Sequence, residues 1–462
     1  MRPLTATLFG CACLATLVSS PAIRAADGDL DPGFSGGTLR VLFGGDDAAA
    51  MELEVLADGR LLVAGTVSDP PRWAVRKVWE SGAIDIGWSA SSPPFDFLDE
   101  SMSLVGGVYD LWRDPADGSE RTMVLGSVES GPNDSRPGLA RLTSSGELDP
   151  SFDGNGLKLL SGAPAGWKEL FVNDGKFLPD GGSVFVGSCL DCPTIDVRRV
   201  WVAKFLASGA PDTGFSGDGW LSFTLNPEID YSGRVVALYE DGRIVVACSR
   251  NVIFANGIFL ARVTATGSFD GSFGGGDGIT DPYYPGESPH ATDVALDPSS
   301  GRIAVGRRRG EGAPLEGGLE VFTAAGLPDT TFSGDGTVDL DLEEGASVDS
   351  VAWQSDGKLL AVGNINANGA QTGGFFLARM TKTGALDSSF DGNGVKRVEF
   401  DAAANVNDAA LAVTTWGGRL LAAGYAGAGD GDAQAFALVR TENAAIFSDG
   451  FERGTAGGWA GF

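Results

Sequence analysis

One short motif returns seven times along this chain, and no other feature restricts the choice of fold so strongly. Its aspartates are Asp31, Asp85, Asp149, Asp212, Asp270, Asp329 and Asp387. Three residues after each comes an aromatic: Phe34, Trp88, Phe152, Phe215, Phe273, Phe332 and Phe390. The aspartates step by 54, 64, 63, 58, 59 and 58 residues. A second marker, a small residue ending an apolar run, falls at Gly65, Gly126, Gly187, Cys248, Gly306, Gly363 and Gly424, with steps of 61, 61, 61, 58, 57 and 61. Two independent markers with one period mean a single supersecondary unit used seven times.

Within a unit the pattern is β throughout. In the sixth copy Val348 to Gln354 reads as a strand, Ser355-Asp356-Gly357-Lys358 as a hairpin turn, and Leu359 to Val362 as the returning strand. Asp-Gly suits the positive φ angles of a two-residue hairpin. A third strand carries Phe375 to Met380 and a fourth Val395 to Phe400. The returning strands are apolar on both sides, as in Leu61-Leu62-Val63-Ala64, so both faces must be covered. Four strands per unit, covered on both faces and repeated seven times, predict an all-β, seven-bladed β-propeller of four-stranded antiparallel blades. The chain enters mid-repeat with one strand, Thr38 to Phe43, and its last copy stops after three, near Arg440. The N-terminal strand is therefore expected to complete the C-terminal blade and close the ring.

The phrase Asp356-Gly357-Lys358-Leu359-Leu360-Ala361-Val362-Gly363, followed by Phe376-Leu377-Ala378-Arg379 and Gly384-Ala385-Leu386-Asp387-Ser388-Ser389-Phe390, resembles the bacterial delta-60 repeat. The resemblance covers nearly all of residues 27–445 and implies a propeller. It departs at Trp88, which replaces phenylalanine, and at Asp329, whose copy lacks its basic residue. The family is defined by repeat and fold, so it places no catalytic residue on this chain. A second, weaker similarity is at the end, where Ile446 to Trp459 resembles short Asp-Gly-Phe-Glu tails of exported bacterial proteins. That tail is either read by an export or assembly factor or packs its aromatics on the propeller.

Residues 1–25 read as a cleaved signal peptide, followed by the propeller at 26–445 and a short tail at 446–462. The expectation is export from a Gram-negative bacterium to the periplasm, the cell surface or the medium. Arg2 and Arg24 leave with the signal, so 31 basic residues face 61 acidic ones, a net −30. Such a charge repels phosphate backbones and anionic lipid, which argues against nucleic acid as a partner. No later apolar run is long enough for a transmembrane segment, and the chain is expected to be a monomer. In an oxidising compartment Cys189 and Cys192 read as a local disulfide, whereas Cys248 fills a glycine slot as a buried small residue.

A basic residue lies eight positions before the motif aspartate in five junctions: Lys77, Arg141, Lys204, Arg262 and Arg379. The sixth junction has Val321 before Asp329. Each aspartate is read as ordering its turn and facing that cation; the alternative is a ring of seven carboxylates around a channel, binding cations. Arg440 has no downstream motif and is expected to meet Asp31 across the closure. The motif aromatics read as wedges between blades. Asp153-Gly154-Asn155-Gly156, Asp391-Gly392-Asn393-Gly394, their relatives and Asp430-Gly431-Asp432 resemble fragments of calcium loops, but turn chemistry explains them. No cofactor is assigned, with weak Ca2+ as the alternative. His290 is the only histidine and is placed in a loop, so no catalytic set is assigned. Arg307-Arg308-Arg309 is the one basic cluster, read as a solvated loop tip or, alternatively, a receiver for an anionic sugar or partner. Ser91 to Glu100 breaks the rhythm and is taken as a partner-contacting loop. The function expected is a non-enzymatic binding or scaffold propeller for an unknown protein or glycan. The alternatives are an enzyme acting on extracellular polysaccharide through paired carboxylates, and a calcium-assisted adhesin.

Overall fold

The computed structural model describes residues 27–43, 46–68, 70–89, 94–97, 104–113, 121–131, 134–190, 197–251, 257–280, 289–309, 316–342, 345–366, 373–400, 408–417, 419–427 and 434–442. Residues 1–25, read as a signal peptide, the tail at 446–462, Cys192 and Asp430 to Asp432 lie outside them. Their strands form seven antiparallel sheets, the blades of a seven-bladed β-propeller. Blade 1 holds Ala48–Val55, Leu61–Val67 and Arg72–Val78, and Phe95 bridges Trp73 in the fourth position. Blades 2 to 6 have four strands each, with first strands Leu104–Arg113, Lys168–Phe177, Asp230–Leu238, Pro289–Leu296 and Ala346–Trp353. In blade 7 the strands Ala409–Trp416, Arg419–Ala426 and Ala435–Thr441 are completed by Thr38–Val41. Thr38 faces Val439 and Val41 faces Phe436, so the two ends of the chain share one sheet.

Sheets apolar on both sides need a neighbour on each side, and a ring supplies one without leaving an uncovered flank. Seven apolar layers result, one between each pair of blades. Between blades 4 and 5, for example, Val245, Leu260 and Phe273 pack on Ala291, Ile303 and Val305, all buried. Between blades 7 and 1, Leu421 and Phe436 meet Ala50 and Val63. All seven motif aromatics are buried. Six of them back onto the next blade where a turn glycine stands: a Cβ on Gly326 would lie 2.4 Å from the Phe273 ring, and one on Gly82 3.2 Å from Phe34. These aromatics are wedges, and each fully buried ring contributes about 1.5–3 kcal/mol.

Three readings from sequence change here. Arg307 to Arg309 are not a loop tip; they end the strand Ile303–Arg309, and Arg307 is buried beside Glu320 and Asp339. A run of charge looks solvated in one dimension, but acids on neighbouring strands make burial tolerable. His290 lies in the strand Pro289–Leu296, opposite Arg308, and not in a loop. Within the irregular segment, Phe95 and Phe97 are core: both rings pack on Trp73, at 6.3 and 5.0 Å between centroids. They fill the outer edge of blade 1, so these two residues are not available to a partner.

Candidate functional site in the central channel

Each first strand breaks register with its second strand at one common place, and those of blades 2 and 3 break once more near their starts. At the common place the ladder skips Met51, Tyr109, Asn173, Arg234, Thr292, Asp349 and Leu411, one per blade. A β-bulge adds one residue to a strand, bends it and re-aims a side chain. Its cause in the sequence is the second repeat marker. Ala50 pairs with Gly65, Val172 with Gly187 and Val348 with Gly363, immediately before the break. A Cβ on Gly65 would stand 1.9 Å from the Ala49 carbonyl oxygen, and one on Gly187 1.8 Å from that of Phe171. Only glycine leaves room for the displaced carbonyl. In blade 4 the pair is inverted, with Cys248 facing Gly233. Cys248 is a buried free thiol, and burial pushes its pKa up.

The seven bulged residues encircle a cavity of about 460 Å³ at the hub of the ring. The residues that follow them include Glu52, Asp110, Asp174 and Asp293, and these carboxylates brace the blades. Asp110 accepts the Phe177 N–H at 2.7 Å and Asp174 that of Val236 at 2.8 Å. Asp293 accepts the Val351 N–H at 2.9 Å and the Ser350 hydroxyl at 2.8 Å. Lys176 stands among them, 3.4 Å from Glu52 and 3.8 Å from Asp110, and donates to the Tyr109 carbonyl at 3.2 Å. The Tyr109 hydroxyl lies 2.8 Å from the Ser127 hydroxyl and 2.9 Å from the Val172 carbonyl. Arg234 and Arg308 also line the cavity.

Desolvation dominates the acids here. It pushes Glu52 and Asp174 up to about 7 against the attraction of Lys176, and Asp349 up to about 6 against hydrogen bonding from Ser347. Desolvation works against charge on Lys176, yet the fields of Glu52, Asp110, Asp174 and Asp293 hold its pKa well above the ordinary value. The consequence for stability has a definite sign. A carboxylate with a raised native pKa binds its proton more readily when folded. These groups therefore stabilise the fold progressively as pH falls from about 7 through the ordinary values of 4.5 for Glu52 and 3.8 for Asp174. Asp270 has the opposite sign: despite burial, hydrogen bonds from Ser272 and the Arg262 cation hold it at about 2, so its contribution is lost as pH falls from about 4 to about 2. The thermal midpoint is expected to rise from pH ~8 to ~5 and to fall below pH ~4. In a scan of Tm against pH, Glu52→Gln with Asp174→Asn should flatten only the upper limb.

The motif aspartates do not line the cavity, so the carboxylate ring of the channel is a different set from the one the repeat suggests. Arg141 lies 2.9 Å from Asp149, Lys204 3.0 Å from Asp212, Arg262 2.8 Å from Asp270 and Arg379 2.8 Å from Asp387. Arg440 lies 2.7 Å from Asp31. Lys77 stands 5.9 Å over the Trp88 ring and its carbonyl accepts the Asp85 N–H. The other carboxylate oxygen orders the turn, as where Asp149 accepts the Ser151 N–H at 3.0 Å and Asp387 that of Ser389 at 3.1 Å. A second cation, from the first hairpin turn, joins most of these pairs: Arg60 to Asp85, Arg243 to Asp270, Lys358 to Asp387 and Arg419 to Asp31. For Asp329, whose copy has Val321, Arg302 at 3.7 Å takes this place. The basic residue recurring after Asp-Gly was the available signal for it. The calcium-like loops use their side chains on backbone: Asn155 accepts the Leu157 N–H and Asp335 that of Thr337. Among the described residues no group of three His, Cys, Asp or Glu is placed to hold a metal. Cys189 is disulfide-bonded.

A family model described as a β-propeller domain of unknown function (DUF5122) matches residues 56–85, 122–152 and 354–390. No curated protein matches the chain in sequence. Among solved structures, prolyl oligopeptidase B from Galerina marginata is similar with a TM-score of 0.42 and 12% identity, over 87% of this chain and 52% of that one. The PL25 ulvan lyase gives 0.48 and 10%, over 90% and 95%. An α-L-arabinanase from Penicillium chrysogenum gives 0.41 and 11%, over 71% and 92%. The chain spans about half the length of the first of these. No helix among the described residues is long and apolar enough to cross a membrane.

Proposed function

We propose that this β-propeller repeat protein is an exported, non-enzymatic binding module of the delta-60 type, with its ligand site in the central channel. One observation supports this above the others. All seven copies keep the bulge and six keep its marker glycine, yet the bulged residue differs every time: Met51, Tyr109, Asn173, Arg234, Thr292, Asp349, Leu411. Elsewhere the repeat holds its residues alike because packing demands it. A position whose geometry is kept while its chemistry is diversified serves recognition, since specificity comes from a few polar groups in a preformed cavity. The expected ligand is a glycan or the polar tip of a protein, and weak Ca2+ is not needed for it.

The test is a channel plug. Leu411 brings no charge to the cavity, and Leu411→Trp would fill space there while leaving every ion pair in place. Wild-type protein on an array of bacterial glycans and secreted peptides should retain a ligand that Leu411→Trp loses by about tenfold or more. Equal retention by both proteins would move the site off the channel. A polysaccharide-acting enzyme is the second reading, supported by Glu52 and Asp174 near 7 in one cavity with other carboxylates, as an acid–base pair requires. It requires new reducing or unsaturated ends released from a bound polysaccharide, abolished by Glu52→Gln.

A further inference from the structure

The charges of the channel are unevenly engaged. Every carboxylate facing it has partners. Glu52 and Asp110 share Lys176, and Asp174 and Asp293 accept backbone N–H groups of the next blade. Asp349 accepts the Ser347 hydroxyl at 3.0 Å. The cations divide differently. Lys176 is enclosed by acids, whereas Arg234 and Arg308, from adjoining blades 4 and 5, line the same cavity and make no hydrogen bond or ion pair among the described residues. This happens in a chain of net charge −28, where carboxylates outnumber cations by 61 to 33. Between the two arginines in sequence lies Thr292, the bulged residue of blade 5; its hydroxyl is buried and also lacks a partner. The field of Arg308 reaches Asp349 across the cavity, but no hydrogen bond or ion pair forms between them. A guanidinium so weakly compensated in a partly desolvated wall costs free energy, and a buried hydroxyl without a partner adds to that cost.

Resting on the reading that the channel is the ligand site, we infer that Arg234 and Arg308, with the Thr292 hydroxyl, form a subsite for an oxyanion carried by a small polar ligand. A carboxylate, a sulfate ester and a phosphate ester share the chemistry that planar guanidinium forks recognise. Desolvation and the repulsion of Arg308 both depress the pKa of Arg234, which is what an arriving negative charge would relieve. The cavity, about 460 Å³, has the size of one or two sugar rings and not of a folded partner. Blades 1 to 3 present an acid–lysine cluster, and blades 4 and 5 present two guanidinium groups against one carboxylate, Asp293. A ligand with a hydroxylated body and one anionic group satisfies both sides.

Calorimetric titrations of the full chain at low salt, with D-glucuronate, D-glucose 6-sulfate, D-glucose 6-phosphate and D-glucose, test this subsite. The anionic sugars should bind at least about tenfold more tightly than glucose, and added NaCl should weaken them. Their ranking identifies carboxylate, sulfate or phosphate as the source. Arg234→Gln and Arg308→Gln should each remove about tenfold of that preference. Because neither arginine has a hydrogen-bonded or ion-paired partner to orphan among the described residues, Arg234→Gln should keep or raise Tm. Arg308→Gln removes only the field of that cation at Asp349 and should keep Tm, so loss of binding cannot be put down to misfolding. Absence of any anion preference in the wild type, or its persistence in the double variant, overturns the subsite. If the glycan retained on the array is lost with Leu411→Trp yet unaffected by Arg234→Gln and Arg308→Gln, the channel remains the ligand site and only the oxyanion assignment falls.

Discussion

Asp31→Ala should lower the stability of the ring by about 3–5 kcal/mol, read as a fall in the urea midpoint. Its carboxylate is the anion of the closure between blade 7 and blade 1. Arg440 approaches at 2.7 Å and Arg419 at 3.1 Å, and Asp31 and Arg440 side chains are each only 3% exposed. The other Asp31 oxygen accepts the Gly33 N–H at 2.7 Å, which sets the turn into the strand Thr38–Val41. Arg440 meanwhile donates to the Glu80 carbonyl of blade 1 at 2.6 Å and lies 4.8 Å over the Phe34 ring. Alanine would leave the buried Arg440 guanidinium without its anion, while Arg419 keeps Glu80 at 3.2 Å and Glu442 at 3.9 Å, and an uncompensated buried charge is far costlier than a lost surface pair. Asp212→Ala in blade 3 is the control. Its partner Lys204 and the carboxylate are about one-fifth exposed, so the loss there should be about 1 kcal/mol. The closure is also the one place where a blade is held together without chain continuity. Weakening it should therefore release residues 27–41 to proteolysis before global unfolding, whereas Asp212→Ala should not.

The fold was legible because packing imposes the same demands seven times. A wedge such as Phe273 meets a turn glycine such as Gly326 at six of the junctions, so they recur at a fixed period, and the period implies the ring. The ring closure follows from the same arithmetic, since a chain entering with one strand and leaving with three has one blade to share. The channel was not legible. A bulge interrupts the alternation by which a strand is read, so nothing in Glu52-Leu53-Glu54 or Asn173-Asp174 announces which side chain faces the hub. The partners are also remote: Lys176 meets Glu52 across 124 residues, and no local spacing encodes that. Asp31 to Asp387 recur because each orders its own turn and most face a cation, as their spacing suggests, and the alternative reading of them, a carboxylate ring around the channel, is not where they lie. The residues that differ from blade to blade are the ones that line the cavity. Arg307 to Arg309 show the same difficulty at close range: one strand end sends Arg307 into a buried ion pair and Arg308 into the cavity.

Gly187→Ala should be the most damaging single-methyl change in the protein, costing about 3 kcal/mol, near the upper end for overpacking. The added Cβ would stand 1.8 Å from the Phe171 carbonyl oxygen and 2.7 Å from the Trp201 ring. Neither neighbour can retreat. The carbonyl is fixed by the ladder in which Phe171 faces Ser188, and Trp201 is fully buried in the layer between blades 2 and 3. Relief requires flattening the bulge at Asn173. That would rotate Asn173 away from the Gly233 carbonyl, which its amide now meets at 2.7 Å, and shift Asp174 from the Val236 N–H. Stability and channel binding should therefore be lost together. Gly424→Ala, with a Cβ 1.8 Å from the Ala409 carbonyl, should behave alike in blade 7. Cys248→Ala supplies the contrast: that slot already carries a Cβ opposite Gly233, so the change should cost about 1 kcal/mol and leave the channel intact. Urea midpoints and the calorimetric affinity for the channel ligand, measured on all three, separate two accounts of the glycine marker. If Gly187→Ala and Cys248→Ala cost the same, the marker is only a small residue in a tight core. If Gly187→Ala and Gly424→Ala destroy both quantities and Cys248→Ala does not, the glycines exist to make the bulges, and the bulges to furnish the channel.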